Sequence, residues 1–164
     1  MKLWQKSISA WSEVETFTVG RDREMDLYLA PYDILGSLAH IEMLCSIGLL
    51  EKAEYEALAA ALKELYHEAV AGKFVIEDGV EDVHSQVEML LTRRLGDMGK
   101  KIHSGRSRND QVLVDLRLFL RAEIEALSSQ VGELFEVLQT LSEKHKDVLL
   151  PGYTHLQVAM VSSF

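Results

Sequence analysis

A single cysteine, Cys45, in a chain of 164 residues excludes an internal disulfide and agrees with a reducing compartment. It sits in an apolar helical pattern, which suits a small core residue better than a reactive thiolate. Only 2 prolines and 10 glycines leave few places where a helix must break. No apolar run approaches the ~20 residues that span a bilayer. The opening residues Met1, Lys2, Leu3, Trp4, Gln5 and Lys6 lack the apolar stretch of a signal peptide. A cytoplasmic protein is expected. The formal net charge of -9 repels nucleic acid and anionic membrane over most of the surface, so neither is expected as a partner. Repeats, low-complexity tracts and flexible linkers are also missing.

What remains is helical periodicity in an ordinary soluble composition, 48% hydrophobic and 26% charged, and the predicted class is all-α. Residues 1–30 mix aromatic, acidic and basic side chains without a sustained period and read as an irregular arm with short helical turns. From there Ile34, Leu38, Ile41, Leu44 and Cys45 recur at three- and four-residue steps, predicting a helix that Pro31 opens and Gly48 closes. Tyr55, Leu58, Leu62, Leu65 and Ala69 carry a second helix. Glu51, Glu54 and Glu56 lie at its positive end, and Gly72 lies beyond it. A third is expected over about residues 82–95, with Asp82 as cap, Val83, Val87, Leu90 and Leu91 inward, and Gly96 and Gly99 ending the run.

The longest pattern begins after Arg106. Leu116, Leu120, Ile124, Leu127, Val131, Leu134, Leu138 and Leu141 form a heptad seam reaching about Lys146. A helix of about 40 residues is ~60 Å long, twice the diameter of a small domain, so it must pack against more than this chain's own body. The reading divides the chain into an amino-terminal helical domain, residues 1–111, and the start of a central helical bundle, residues 112–164. Where the long helix begins, cations concentrate: Lys100, Lys101, Arg106, Arg108, Arg117 and Arg121 stand against Asp110 and Asp115.

Four segments could carry chemistry. In the first, residues 100–111, with Lys100, Lys101, His103, Ser104, Gly105, Arg106, Ser107, Arg108 and Asn109, form a basic, glycine-containing turn feeding a helix start. Free backbone N–H groups there attract anions, and arginines add bidentate carboxylate recognition. The same turn could equally be a solvated one in which Ser107 or Asn109 caps the helix and the arginines pair with nearby acids. In the second, Pro151, Gly152, Tyr153, Thr154, His155, Leu156 and Gln157 form another turn leading toward an expected helix start. The dipole there would keep His155 neutral for proton exchange, with the Thr154 hydroxyl beside it, unless the histidine is merely structural. The third, Glu81, Asp82, Val83, His84 and Ser85, could be no more than a capped helix start. His84 and Glu88 stand four apart, but two ligands without further Cys or His spacing point to no metal. The fourth pairs Asp26 with Asp33, carboxylates that near a helix start are usually caps or surface charges.

In order and separation these segments resemble the argininosuccinate lyase branch of the fumarase and aspartase superfamily, across nearly all 164 residues. Gly105, Arg106, Ser107, Arg108, Asn109, Asp110, Gln111 and Val112, then Asp115, Leu116 and Arg117, look like its first signature. Residues 151–157 look like its second, residues 81–84 like its acidic-Asp-hydrophobic-His segment, and residues 33–37 like its early Asp-hydrophobic-x-Gly-Ser helix start. There are departures. Trp4, Gln5 and Lys6 stand where many members have Trp-Gly-Gly-Arg, and the substrate-binding serine upstream of Asp26 has only Asp22 near it. Val158, Ala159, Met160 and Val161 replace a frequent Arg-Ala-Gln-Pro. The third signature, a serine loop carrying the family's catalytic base, has no counterpart, so the chain alone is expected to be inactive.

The resemblance implies a homotetramer whose long helices bundle, and an elimination that splits argininosuccinate into arginine and fumarate. Removing a carbon-bound proton next to a carboxylate spreads charge onto that group, and preorganised donors aimed at its oxygens stabilise it. Arg106, Ser107 and Asn109 suit that work. His155 is expected as general acid for the leaving nitrogen with Thr154 beside it, and Asp26 and Asp82 as anchors for the arginine portion. His84 would hold Asp82 or a substrate carboxylate, and Gln157 would complete the anionic pocket. Electrostatics and proton transfer suffice without a cofactor. The competing readings are a non-catalytic, crystallin-like helical protein of the same fold, and a lyase for another fumaryl adduct such as adenylosuccinate.

Overall fold

The computed structural model describes residues 12–163. The expectations for Trp4, Gln5 and Lys6 lie outside the described residues. Those described form a mostly helical architecture. The helices are α1 (Ser12–Val19), α2 (Asp22–Ser46), α3 (Lys52–Val70), α4 (Val83–Leu95), α5 (Asp97–Lys100) and α6 (Arg108–His145). A single 3₁₀ turn (Lys101–His103) follows α5. Two antiparallel strands follow α6: β1 (Leu149–Thr154) and β2 (Gln157–Ser163). Among the described residues no helix is long and apolar enough to cross a membrane.

The predicted helices α3 and α4 form as their patterns require. The Glu54 carboxylate accepts the Glu51 backbone N–H at 3.1 Å, so the start of α3 is held by its own first turn. Asp82 caps α4 by accepting the Ser85 N–H at 2.8 Å, and Gly96, at φ +65°, ends it in a conformation that side chains resist.

Two expectations at the amino-terminal side are corrected. Residues 12–19 and 22–30 are helical, joined by a turn at Gly20 and Arg21, and Pro31 lies deep inside α2 instead of opening it. Proline in a helix interior removes one backbone hydrogen bond and crowds the preceding turn. The helix continues because Ala30 and Ile34, on either side of the ring, are both buried, followed by Ile41 and Leu44. Gly48, at φ +79°, closes the segment as predicted.

The chain divides into two compact units, one ending at Leu120 and the other beginning at Arg121. The first holds the hydrophobic core. Ile34 and Ile41 of α2, Leu58, Leu62 and Leu65 of α3, and Val83, Val87 and Leu91 of α4 are almost wholly inaccessible, and Phe74, Ile76 and Val80 close it from the connection between α3 and α4. Area burial of this kind stabilises by roughly 1.5–3 kcal/mol per large aliphatic side chain. In the second unit the seam residues Ile124, Leu127, Val131, Leu134 and Leu138 are all more than half exposed.

The second unit also carries the main correction of local structure. Residues 149–163 form a hairpin, not a turn into a helix. Its two-residue loop is His155 and Leu156, at φ +49° and +62°, the doubly left-handed geometry of a tight turn whose twist matches the flanking strands. One extra residue, Ala159, bulges between the Gly152–Met160 and Tyr153–Val158 pairs. His155 thus stands in the loop of this hairpin and not on the first turn of a helix as expected.

Among the glycines of the first unit, Gly99 has the closest backbone neighbour. A Cβ there would lie 2.4 Å from the Thr92 backbone nitrogen, so α5 can fold back on α4 only without a side chain at this position. Gly99→Ala should therefore lower the unfolding free energy by about 1–3 kcal/mol. The check is the urea midpoint, which should fall at constant m-value; an unchanged midpoint would mean the contact is not a constraint.

Candidate active site

Six of the candidate residues gather in the first unit, where the starts of α4 and α6 meet α2. Asp26 on α2 accepts the Val83 N–H at 3.1 Å, so its carboxylate occupies one of the free donors at the amino end of α4. Burial raises Asp26 above the ordinary carboxylate value, and the Val83 bond and the charge of His84 oppose that rise. Asp82, already the cap of α4, pairs with Arg108 Nε at 3.1 Å. Glu81 reaches the same guanidinium at 3.4 Å, and Arg108 Nη2 donates to the Ser85 hydroxyl at 2.8 Å. Arg108 thus bridges the acidic segment to the cationic turn. The sequence offered Arg108, with Arg106, either for carboxylate recognition or for pairing with nearby acids, and its guanidinium here pairs with Glu81 and Asp82.

The rest of the cationic turn divides its tasks. Arg106 lies partly buried and donates from Nη2 to the Ser37 hydroxyl of α2 at 2.8 Å, while burial lowers its guanidinium from the usual value. Ser107 caps α6. Its N–H and hydroxyl both donate to Asp110 Oδ2, at 2.7 and 3.0 Å, and the pairing holds Asp110 below the ordinary carboxylate value. Asn109 is exposed on the first turn of α6.

Beneath this layer is a buried polar cluster that sequence reasoning did not anticipate. Asp33 is no surface cap; it lies mid-helix and is 1% exposed. Its Oδ1 accepts from His84 Nδ1 at 2.8 Å and from Gln111 Nε2 at 3.1 Å. Asp115, also 1% exposed, stands with Oδ2 at 3.9 Å from the same ring nitrogen. Burial pushes Asp115 up to about 7, with the neighbouring Asp33 charge adding to the effect. His84 is raised as well: burial pulls it down, but the Asp33 bond and the charges of Asp33, Asp82 and Asp115 outweigh that. The one available signal was that Gln111 and Asp115 are four apart and share a helix face. Asp33, His84 and Asp115 offer ligand atoms within 4.8 Å of one another, yet a metal would have to displace the proton that joins His84 to Asp33. Geometry favours the hydrogen-bonded network.

A cavity of about 350 Å³ opens beside this cluster, lined among others by Gly36, His40, Arg106, Gln111 and Asp115. The remaining candidates, Thr154, His155 and Gln157, belong to the second unit, where all three are exposed around the hairpin loop.

A lyase family profile matches residues 13–164. The chain is 66% identical over 99% of its length to an argininosuccinate lyase of Phocaeicola vulgatus and to one of Parabacteroides distasonis. It is 43% identical over the same share to an argininosuccinate lyase of Methylococcus capsulatus. The chain spans about 36% of the length of the two more similar relatives.

The buried cluster makes stability depend on pH with a definite sign. An acid raised from 3.8 to about 7 binds more protons folded than unfolded, so stability falls as pH rises through that interval. His84, also raised, contributes stability that is complete below its ordinary 6.5 and is lost as pH rises through its higher folded value. Both act in one direction. The urea midpoint should fall as pH rises from 3.8 through about 7, and Asp115→Asn should make that fall shallower. An identical slope in the variant would mean that Asp115 ionises as freely folded as unfolded.

Proposed function

Because this chain belongs to the lyase family, we propose that it is the amino-terminal segment of an argininosuccinate lyase, a carbon–nitrogen lyase of arginine biosynthesis that releases fumarate. The observation that carries the reading is the joining of two separate segments at one place. The acidic turn holding Asp82 and the cationic turn holding Ser107 and Asn109 are tied by Arg108 at 3.1 Å. A substrate with several carboxylates on one side and a guanidinium on the other needs that pairing of opposite charges. Relatives of that name at 43–66% identity supply the reaction.

In this reading the N–H groups and donors at the start of α6, with Arg106, Ser107 and Asn109, receive the fumaryl carboxylates. There they stabilise the charge that develops when the adjacent carbon loses its proton. Asp26 and Asp82 anchor the amino and guanidinium groups of the arginine portion, and His84 contributes a donor from below. His155, assisted by Thr154, protonates the departing nitrogen, and Gln157 helps hold an anionic group. Proton transfer and electrostatics account for the elimination without a cofactor.

The same proposal covers the architecture. Residues 1–111 serve as the amino-terminal domain and residues 112–164 begin a central bundle, in a cytoplasmic homotetramer. The exposed seam of α6 supports this, since Leu127 and Leu134, at 60% and 58% exposure, need a partner surface.

The decisive assay is fumarate release by the complete enzyme carrying this segment, followed through the ultraviolet absorbance of the new double bond. Argininosuccinate should be turned over and adenylosuccinate should not; the reverse preference would refute the assignment. His155→Asn should reduce kcat by about 10²–10⁴-fold, the usual contribution of a positioned general acid. For assembly, Leu127→Glu combined with Leu134→Glu should shift the sedimentation of the complete protein from tetramer to smaller species. Unchanged sedimentation would remove the seam from the interface.

A further inference from the structure

Three helices direct polar side chains at one imidazole. His84, on the first turn of α4, is 8% exposed, and its Nδ1 lies 2.8 Å from Asp33 of α2. A ring nitrogen bonded to a carboxylate acceptor carries the hydrogen, so this proton is fixed on Nδ1. The acceptor is itself fixed. Gln111 of α6 donates to the same Oδ1 at 3.1 Å, which keeps the Asp33 carboxylate from rotating away. Two more acceptor oxygens, Oδ2 of Asp33 and Oδ2 of Asp115, are buried beside the ring without hydrogen-bond partners. The charged and titratable groups around His84 are Asp26 and Asp33 on α2, Asp82 at the cap of α4 and Asp115 on α6, with Arg106 facing Asp33 and Asp115 and Arg108 paired with Asp82. These four carboxyl groups outnumber the two guanidinium groups, of which Arg108 is taken up by Asp82 and Glu81. On the ring, Nε2 has no hydrogen-bond partner among the described residues.

We propose that Asp33 is a positioning residue that holds His84 as an imidazolium with its Nδ1–H turned inward, so that Nε2–H is presented as a charged donor to a carboxylate group of the substrate. Asp115, at 3.9 Å, is beyond hydrogen-bond reach and acts only through its field. The arrangement suits anion recognition because a charge-assisted donor is roughly twice as strong as a neutral one, and a neutral imidazole with Nδ1–H would offer a bare lone pair at Nε2 instead. The inference rests on the lyase reading only for the identity of the carboxylate.

Histidine C2 hydrogen–deuterium exchange, read by mass spectrometry in the complete enzyme, reports the titration of His84 whatever the substrate. Its midpoint should lie above the ordinary value of about 6.5 in the unaltered protein and fall by about one unit or more in Asp33→Asn. Asp115→Asn should move it the same way by less, and decides the matter if Asp33→Asn does not fold. In parallel, the pH at which KM for argininosuccinate begins to rise should move down with the exchange midpoint in Asp33→Asn, while kcat on the acid side is retained. A merely structural Asp33 would lower kcat at every pH and leave the KM profile in place. A midpoint unmoved in both variants overturns the proposal, as does a moved midpoint that KM does not follow. Failure to turn over argininosuccinate at any pH would refute the lyase reading alone, and the exchange midpoint would still decide whether Asp33 holds His84.

Discussion

The first unit depends on one buried contact, the hydrogen bond between Asp33 and His84. Asp33 comes from the middle of α2, His84 from the first turn of α4, and Gln111 closes the arrangement from α6. Apolar packing alone would allow these helices to slide or rotate against each other with small changes in area. A carboxylate that must meet an imidazole and an amide admits one register, because leaving any of the three unpaired in the interior costs about 1–3 kcal/mol or more. The starts of α4 and α6, and with them Asp82, Arg108 and Asn109, are held in place by this layer below.

Burying charge in this way is not free stability. Two acids with inaccessible oxygens and no donors, Asp33 Oδ2 and Asp115 Oδ2, sit where hydrocarbon would pack at lower cost. Such groups are tolerated where they fix a geometry that apolar residues cannot specify. Arg106 and His84 offset much of the charge, and the rise of Asp115 toward neutrality offsets more. The outer layer is different in kind: Glu81, Asp82 and Arg108 are partly accessible and pair with one another.

Much of the fold was legible because apolar spacing and caps agree. Leu58, Leu62 and Leu65 are buried as their period requires, and Asp82 caps α4 as its place before Val83 suggested. The first half of α2 escaped because Arg21, Asp22, Glu24, Met25, Leu27 and Tyr28 are all exposed, so no buried face imposes a period there. Pro31 was misplaced because the usual position of proline is the first turn, and only burial on both sides keeps it inside. The hairpin escaped for another reason. A short apolar run is ambiguous between strand and helix, and the loop lacks the asparagine and glycine that normally announce a left-handed pair. In the candidate site, Asp26, Asp82, Arg106, Ser107 and Asn109 stood out by motif and charge; Asp33, Gln111 and Asp115 lie in the same motifs, but their burial in one cluster was not legible. An isolated acid on a helix gives no sign of burial until its partners are known.

Those partners stand 51 and 78 residues farther along the chain than Asp33 itself. A growing polypeptide therefore exposes this acid to water long before either mate has been synthesised, and α2 with α3 can associate first only as a loose pair. Final seating of the polar layer has to await emergence of the beginning of α6 from the ribosome. Early translation is thus the period in which the apolar faces of α2 and α3 are open to wrong neighbours and to chaperones.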